Sequence, residues 1–351
     1  MEERRRNILV RTFHFLFSWK TIIWPWKNIS TFWHWWWHGT TDWRYRTMAG
    51  IPAVIVLLAL LAGPLWTTYP AVWTGTYFYN YYSVIYPKAI PQDKADEGKA
   101  IVKTMIKVGD QMLVNWQDND LFISSSKMPY IGVDNPRNFQ RGEILMYRRI
   151  MEEMRDTLTR KTANDYTDKN IAFAQNQFVV DTESWIWPRA ESAYRDGVDH
   201  LKIFLANVEK RNAGLYATSH NLDKLLEKIA NSLADPSQKL EDARLSDVPW
   251  YWLNFKVDDN YYEAQGSLYV TLQVLRAARI DFNEVLRAKQ AVAQFDNMIR
   301  SIETSQSYLV DPFIVLNGKP GTGIANDSSV LASLLQTTNR NLDQLRKQLT
   351  N

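Results

Sequence analysis

From Thr47 to Pro87 the chain carries no charged residue, and this run limits the possible folds more than any other feature. Its most apolar part, 48-MAGIPAVIVLLALLAGPLW-66, has about the twenty residues a helix needs to cross roughly 30 Å of hydrocarbon. Pro52, Pro64 and Pro70 sit near its ends, where a helix break costs least. Tryptophans crowd the approach: Trp24, Trp26, Trp33, Trp35, Trp36, Trp37 and Trp43. Beyond it come Trp66, Tyr69, Trp73 and a series of tyrosines up to Tyr86. Aromatic belts on both sides of an apolar core mark a spanning helix. A buried helix in a soluble core would explain neither belt. The run begins too far into the chain for a cleaved signal peptide, so the sequence predicts an uncleaved anchor over 48–73.

Charge sets the orientation. The formal net charge is +3, but residues 1–47 hold eight Lys and Arg against Glu2, Glu3 and Asp42. The rest of the chain is slightly acidic. Arg44 and Arg46 lie next to the span and place the N-terminus in the cytoplasm. The large C-terminal part is then expected outside, in the periplasm of a bacterial cell with its anchor in the inner membrane. A body without basic excess does not suit a nucleic-acid partner. The absence of cysteine excludes disulfides, thiolate metal sites and cysteine nucleophiles.

Residues 1–47 form the predicted cytoplasmic segment. Within it, 8-ILVRTFHFLFSWKTIIW-24 is too interrupted to span. On a helix, Arg11, His14, Ser18 and Thr21 make one narrow polar stripe against a wide apolar face. Such a helix lies in the membrane interface or packs on another membrane subunit. His34 and His38 are four apart and share a helix face, a geometry that can hold a metal or approach a haem, with His14 as a third ligand. With no Asp, Glu or Cys beside them, the preferred reading makes them polar members of the aromatic belt. No cofactor is expected.

After an aromatic linker over 74–92 the pattern turns helical, and 93–351 reads as one helical domain. Ile144, Tyr147, Met151, Met154 and Leu158 repeat at helical spacing, as do Tyr194, Val198, Leu201, Leu205 and Val208. Leu222, Leu225, Leu226, Ile229 and Leu233 mark another seam. A long helix is predicted from about Asn260 to Ser305, and a last one carries Leu331, Leu335, Leu342, Leu345 and Leu349 behind Asp327. Residues 94–117 also read as helical. Connections are expected at 127–136, 235–238, 246–252 and 317–327, where Pro, Gly, Asn and Asp gather. The expected fold class is therefore all-α: an N-terminal interfacial helix, a single transmembrane helix, and an extramembrane multi-helix bundle without a sheet.

Motifs for chemistry are weak. Ser124 and Lys127 form Ser-x-x-Lys, but the companion motifs of penicillin-recognising enzymes are missing. The loop 318-GKPGTG-323 has its lysine before the second glycine, so it is not a phosphate-binding P-loop. The acidic pairs Glu152 and Glu153, Glu241 and Asp242, and Asp258 and Asp259 lack calcium-loop spacing and are expected on solvated faces. His200 and His220 show no nucleophile arrangement. Two aromatic knots remain: Trp185 and Trp187, and Trp250 and Trp252. They pin loops or line a ligand cleft.

Three stretches in order carry a resemblance: 129-PYIGVDNPRNFQRGEI-144, 184-SWIWPRAESAYRDGVDHL-201 and 311-DPFIVLNG-318. They resemble the bacterial inner-membrane proteins catalogued as domain of unknown function 2333. The matching positions are Asp134, Asn135 and Pro136; Ser184, Trp185, Pro188 and Glu191; and Asn317 and Gly318. The resemblance covers roughly 95–349 and implies a single-pass anchor with a helical domain outside, but no activity. The expected function is that of a membrane-anchored, non-enzymatic envelope protein, a scaffold or accessory subunit of an inner-membrane complex. Its partners would be the lipid bilayer and an integral-membrane complex or a second copy. The alternative is a tethered module that binds lipid or glycan.

Overall fold

The computed structural model describes residues 82–114, 135–161, 165–182, 184, 189–245, 255–308 and 327–350. The predicted interfacial segment and the span over 48–73 lie outside the described residues. No helix among the described residues is long and apolar enough to cross a membrane.

The described chain is all-helical, with no strand among the described residues. A 3-10 turn over Lys94–Asp96 precedes α1 (Ala100–Val114). Helix α2 (Asn135–Glu153) ends in a π-helical turn, Met154–Leu158. There follow α3 (Lys169–Phe178), α4 (Ala190–Glu209), α5 (Ser219–Leu245) and α6 (Phe255–Asp281). The last three are α7 (Asn283–Ala288), α8 (Val292–Tyr308) and α9 (Asp327–Thr350). Asp168 caps α3, its carboxylate accepting from Asn170 N at 2.8 Å. The predicted seams face inward: Ile144, Tyr147, Met151, Met154 and Leu158 are buried, as are Leu331, Leu335, Leu342, Leu345 and Leu349.

Helix α6 is the axis. Its residues are buried without a break from Gly266 to Leu275, as a helix enclosed on every side must be. It packs on α1, α2, α5 and α8. Against α2 the approach is backbone to backbone. A Cβ added to Gly142 would lie 1.8 Å from the Glu263 carbonyl oxygen, and one on Gly266 would lie 1.9 Å from that of Phe139. Ser267 Oγ donates to the Gly142 carbonyl at 3.0 Å across the same crossing.

A single buried carboxylate joins the end of α6 to the start of α1. Asp281 accepts from Ala100 N at 3.0 Å and from Ile101 N at 2.8 Å, with Gly98 and Lys99 N–H groups also bonded to it. Gly98 takes φ +81°, a conformation open to glycine, which lets successive N–H groups converge on one acid. Those donors and the positive end of the α1 dipole favour the anion. Burial outweighs them and pushes the carboxyl up to about 6.

Three local expectations are corrected. The long helix over Asn260 to Ser305 is broken at Phe282 and again at 289–291, where Gln290 adopts φ 52°; both breaks are too short to interrupt the apolar periodicity. The connection at 235–238 is instead helix, because α5 continues through Pro236 with Pro236 and Ser237 turned into the core. Glu153 is buried rather than solvated. It follows Ile150 by three residues on the inward stripe, and burial raises its pKa against a hydrogen bond from Thr157.

Two predictions test this framework. Gly266→Ala must push α2 and α6 apart, costing about 3 kcal/mol and lowering Tm by roughly 5 °C. Gly214→Ala, where nothing lies within 4 Å of the added Cβ, leaves Tm unchanged; equal melting of the two variants would sink the close-crossing argument. For Asp281 the folded pKa lies above the unfolded value, so its contribution to stability is largest below about pH 4 and is lost as pH rises through about 6. Relative to Asp281→Asn, the native protein should lose about 3 kcal/mol across that window. Parallel denaturation profiles from pH 4 to 7 would refute it.

Candidate functional site

Side-chain bonds between helices fix which ends lie together. Gln140 Nε2 donates to the Met112 carbonyl at 3.2 Å, bringing the start of α2 beside the end of α1. Asn138 Nδ2 donates to Asp259 Oδ1 at 2.7 Å, adding the start of α6. Asn260 Nδ2 donates to the Lys239 carbonyl at 3.2 Å, and Lys239 Nζ meets Glu263 Oε1 at 2.8 Å, adding the last turns of α5. Arg195 Nη2 reaches the Leu113 carbonyl at 3.2 Å, so α4 starts here too.

The C-terminal helices obey the same layout. At the opposite end, Arg346 pairs with Asp223 at 2.9 Å and Ser219 Oγ donates to the Leu349 carbonyl at 3.0 Å, so α9 begins beside the end of α5. Arg279 pairs with Asp296 and, a turn earlier in α6, Arg276 with Glu303, so α8 runs back toward the same end. The connections 115–134, 246–254 and 309–326 therefore begin and end there, and 181–189 delivers the chain to it. Residues 82–92 arrive at the same place. Within this stretch, read above as part of a linker, Val84, Ile85 and Ile90 are buried. Ile90 N donates to Gln273 Oε1 at 3.0 Å, Tyr269 Oη donates to the Lys88 carbonyl at 3.1 Å, and Gln92 Nε2 donates to Thr104 Oγ1 at 2.9 Å.

Beneath this end lies a buried polar layer. Glu143 is fully enclosed, and burial pushes its carboxyl well above the usual carboxylate range, which favours the neutral acid. Its negative form would also bear on Tyr269, whose hydroxyl is shifted up first by burial and then by Glu143. Tyr269 lies beside Phe139 with the rings tilted by 42° and their centroids 6.2 Å apart. The arrangement braces four chain segments.

A second device holds the connection after α3. Arg148 directs its guanidinium at the carbonyls of Phe178 and Val180 and at Tyr194 Oη. Tyr194 in turn donates to the Val180 carbonyl at 2.6 Å. Tyr147, Phe178 and Tyr194 pack beside it with centroids 4.5 and 5.4 Å apart. The clamp fixes where the segment carrying Ser184 leaves the bundle.

Trp24, Trp26, Trp33, His34, Trp35, Trp36, Trp37, His38, Trp43, Arg44, Arg46, Trp66 and Trp73 lie outside the described residues, as do Trp185, Trp187, Trp250 and Trp252. What the structure brings to one end is the helix termini from which the last four depart. Ser124, Lys127 and 318–323 are likewise outside. His200 packs at a tilt against Phe173, centroids 4.0 Å apart, and sets Nδ1 3.3 Å from Asn170 Oδ1, a packed histidine on the α3–α4 flank. Sequence reasoning missed Asn138, Glu143, Arg148 and Asp281. One signal was available: Phe139, Glu143, Met146 and Ile150 share a helical stripe, so Glu143 is an acid at an apolar position.

Arg148→Lys keeps the charge but loses the fork that reaches three oxygens. It should cost about 2 kcal/mol and raise amide exchange at 179–184 well above that of α5. Unchanged exchange there would show that the clamp does not hold the connection.

The sequence profile of a bacterial family described as "Uncharacterized protein conserved in bacteria (DUF2333)" matches residues 39–248 and 246–351. No curated protein and no solved structure matches the chain. The family match begins at Gly39, well ahead of the region over which the three motifs suggested a resemblance. It thus takes in Trp43, Arg44, Arg46 and the whole uncharged run, while Trp24, Trp26, Trp33, Trp35, Trp36 and Trp37 precede it. With nearly the whole chain covered by the two matches, the protein belongs to this DUF2333 family.

Proposed function

We propose that the protein is a membrane-anchored, non-enzymatic scaffold or accessory subunit. Residues 48–73 span the bacterial inner membrane once, the N-terminus faces the cytoplasm, and the helical domain works in the periplasm. The observation that carries this reading is how the buried and half-buried polar groups of the domain are used. Asn138, Gln140, Arg148, Tyr269 and Asp281 each bond to another helix or to an adjoining loop, bracing a rigid frame rather than converging on a reacting centre. The uncharged run and its flanking tryptophans support the anchor, and their density supports a protein partner at the cytoplasmic face. A belt needs two or three tryptophans; this one has five between Trp33 and Trp43.

The test is purification of the full chain from native membranes in mild detergent, beside a chain lacking 1–43. A partner that co-purifies with the first and is lost from the second, with membrane retention intact, is the expected result. Recovery of the same associates with both chains would remove the N-terminal docking role. Release of the full chain by alkaline carbonate would remove the anchor.

A further inference from the structure

Residues 84–92 lie as a strap across α1 and α6, helical through Ile85 and non-helical from Pro87. Gln92 Nε2 donates to Thr104 Oγ1, and Gln111 Nε2 donates to the Lys88 carbonyl at 3.0 Å, so the strap runs antiparallel to α1. The four steps from Lys88 to Gln92 reach ~13 Å if extended. The seven from Thr104 to Gln111 rise ~10 Å in a helix, a match that requires near-full extension. Under the strap the groove is polar at interior positions: Thr104, Tyr269 and Gln273 are 1%, 6% and 2% exposed. Tyr269 and Gln273 bond to its backbone, at the Lys88 carbonyl and the Ile90 N–H.

The strap and the start of α1 are attached in different ways. From Gly98 to Ile101 successive N–H groups bond to the Asp281 carboxylate, and loss of that contact would leave a buried acid without its donors. The groups that hold the strap have second partners. Gln273 Oε1 also accepts from Arg276 Nη1 at 3.4 Å, and Tyr269 Oη also donates to Gln111 Oε1 at 3.0 Å. Departure of the strap therefore orphans neither. Between the two attachments lies the 3-10 turn Lys94–Asp96, which buries no residue. Asp96 pairs with Lys103 of α1, so the turn stays with α1 and the pivot falls at Asp93.

We propose that residues 84–92 open from this groove and close on it as one unit, pivoting at Asp93, while Asp281 keeps α1 docked on α6. Opening bares Thr104, Tyr269 and Gln273, a row that binds the backbone of an extended chain. The segment it is built to take is this strap. The device belongs to the helical domain and does not depend on the anchor over 48–73.

Hydrogen exchange of the full chain in mild detergent tests it, with two amides as probes. Ile90 N–H is held by Gln273 at 3.0 Å and Ile101 N–H by Asp281 at 2.8 Å, both side chains of α6. After correction for intrinsic rates, protection at Ile90 should fall about 100-fold or more below that at Ile101. Equal protection would mean that strap and α1 open together, and the proposal fails. This comparison needs no substitution. A second measurement locks the strap. The chain has no cysteine, so Lys88→Cys with Gln111→Cys can be joined by a short bismaleimide. The link should slow exchange at Ile90 about tenfold or more relative to the unlinked double variant and leave Ile101 unchanged. A link without effect at Ile90 would show that its amide exchanges with the strap in place. A link that slows Ile101 equally would put both in one opening unit. Either result overturns the proposal.

Discussion

The domain depends on two glycines at one crossing. Gly142 and Gly266 let α2 and α6 touch through their backbones, and this contact places α6 deep enough to be covered by α1, α5 and α8. A methyl group at either position would hold the helices apart and open gaps all along the seam, since interiors pack with almost no slack. The same economy of side chain recurs where Gly109 meets Val198 and Gly197 meets Phe178. Small residues thus set the spacing of three helix pairs, and the large apolar residues fill what that spacing leaves.

Around this frame the buried polar groups act as braces with defined directions. Asn138 can satisfy Asp259, and Gln140 the Met112 carbonyl, in only one register of α2 against its neighbours. Apolar packing alone tolerates sliding by a turn; a buried amide with one available acceptor does not, because an unmatched group costs about 1–3 kcal/mol. Such groups give a helical domain a single arrangement at little net gain in stability.

Much of the helical pattern is legible in the sequence, because inward-facing residues repeat at helical spacing and interior positions tolerate little else. The seams of α2, α5 and α9 follow directly from Ile144, Leu222, Leu331 and their periodic partners. Helix ends are less legible. A two- or three-residue interruption at Phe282 or Gln290 leaves the period intact, and Pro236 signals a break that packing overrides. The polar layer was hidden for a different reason: Asn138 and Asp259 are separated by 121 positions, and no local pattern reports a bond across that distance. Glu153 reads as a solvated acid, and Glu143 goes unremarked, until the fold turns their stripe inward. The convergence of the motif-bearing connections at one end is likewise a property of topology, not of any stretch of residues.

The braces that hold residues 88–101 bear on how the domain is made. Ile90 bonds to Gln273 across 183 positions, Lys88 to Tyr269 across 181, and Ala100 to Asp281 across 181. Closing a loop of that length costs on the order of 5 kcal/mol of chain entropy, although the Lys88 carbonyl also accepts from Gln111 Nε2 at 3.0 Å, 23 positions away. During synthesis α1 therefore emerges long before α6, and until α6 is made it has only α2 and α4 to pack against among the described helices. The central seam is closed only when α6, the helix whose residues are buried without a break from Gly266 to Leu275, has been made.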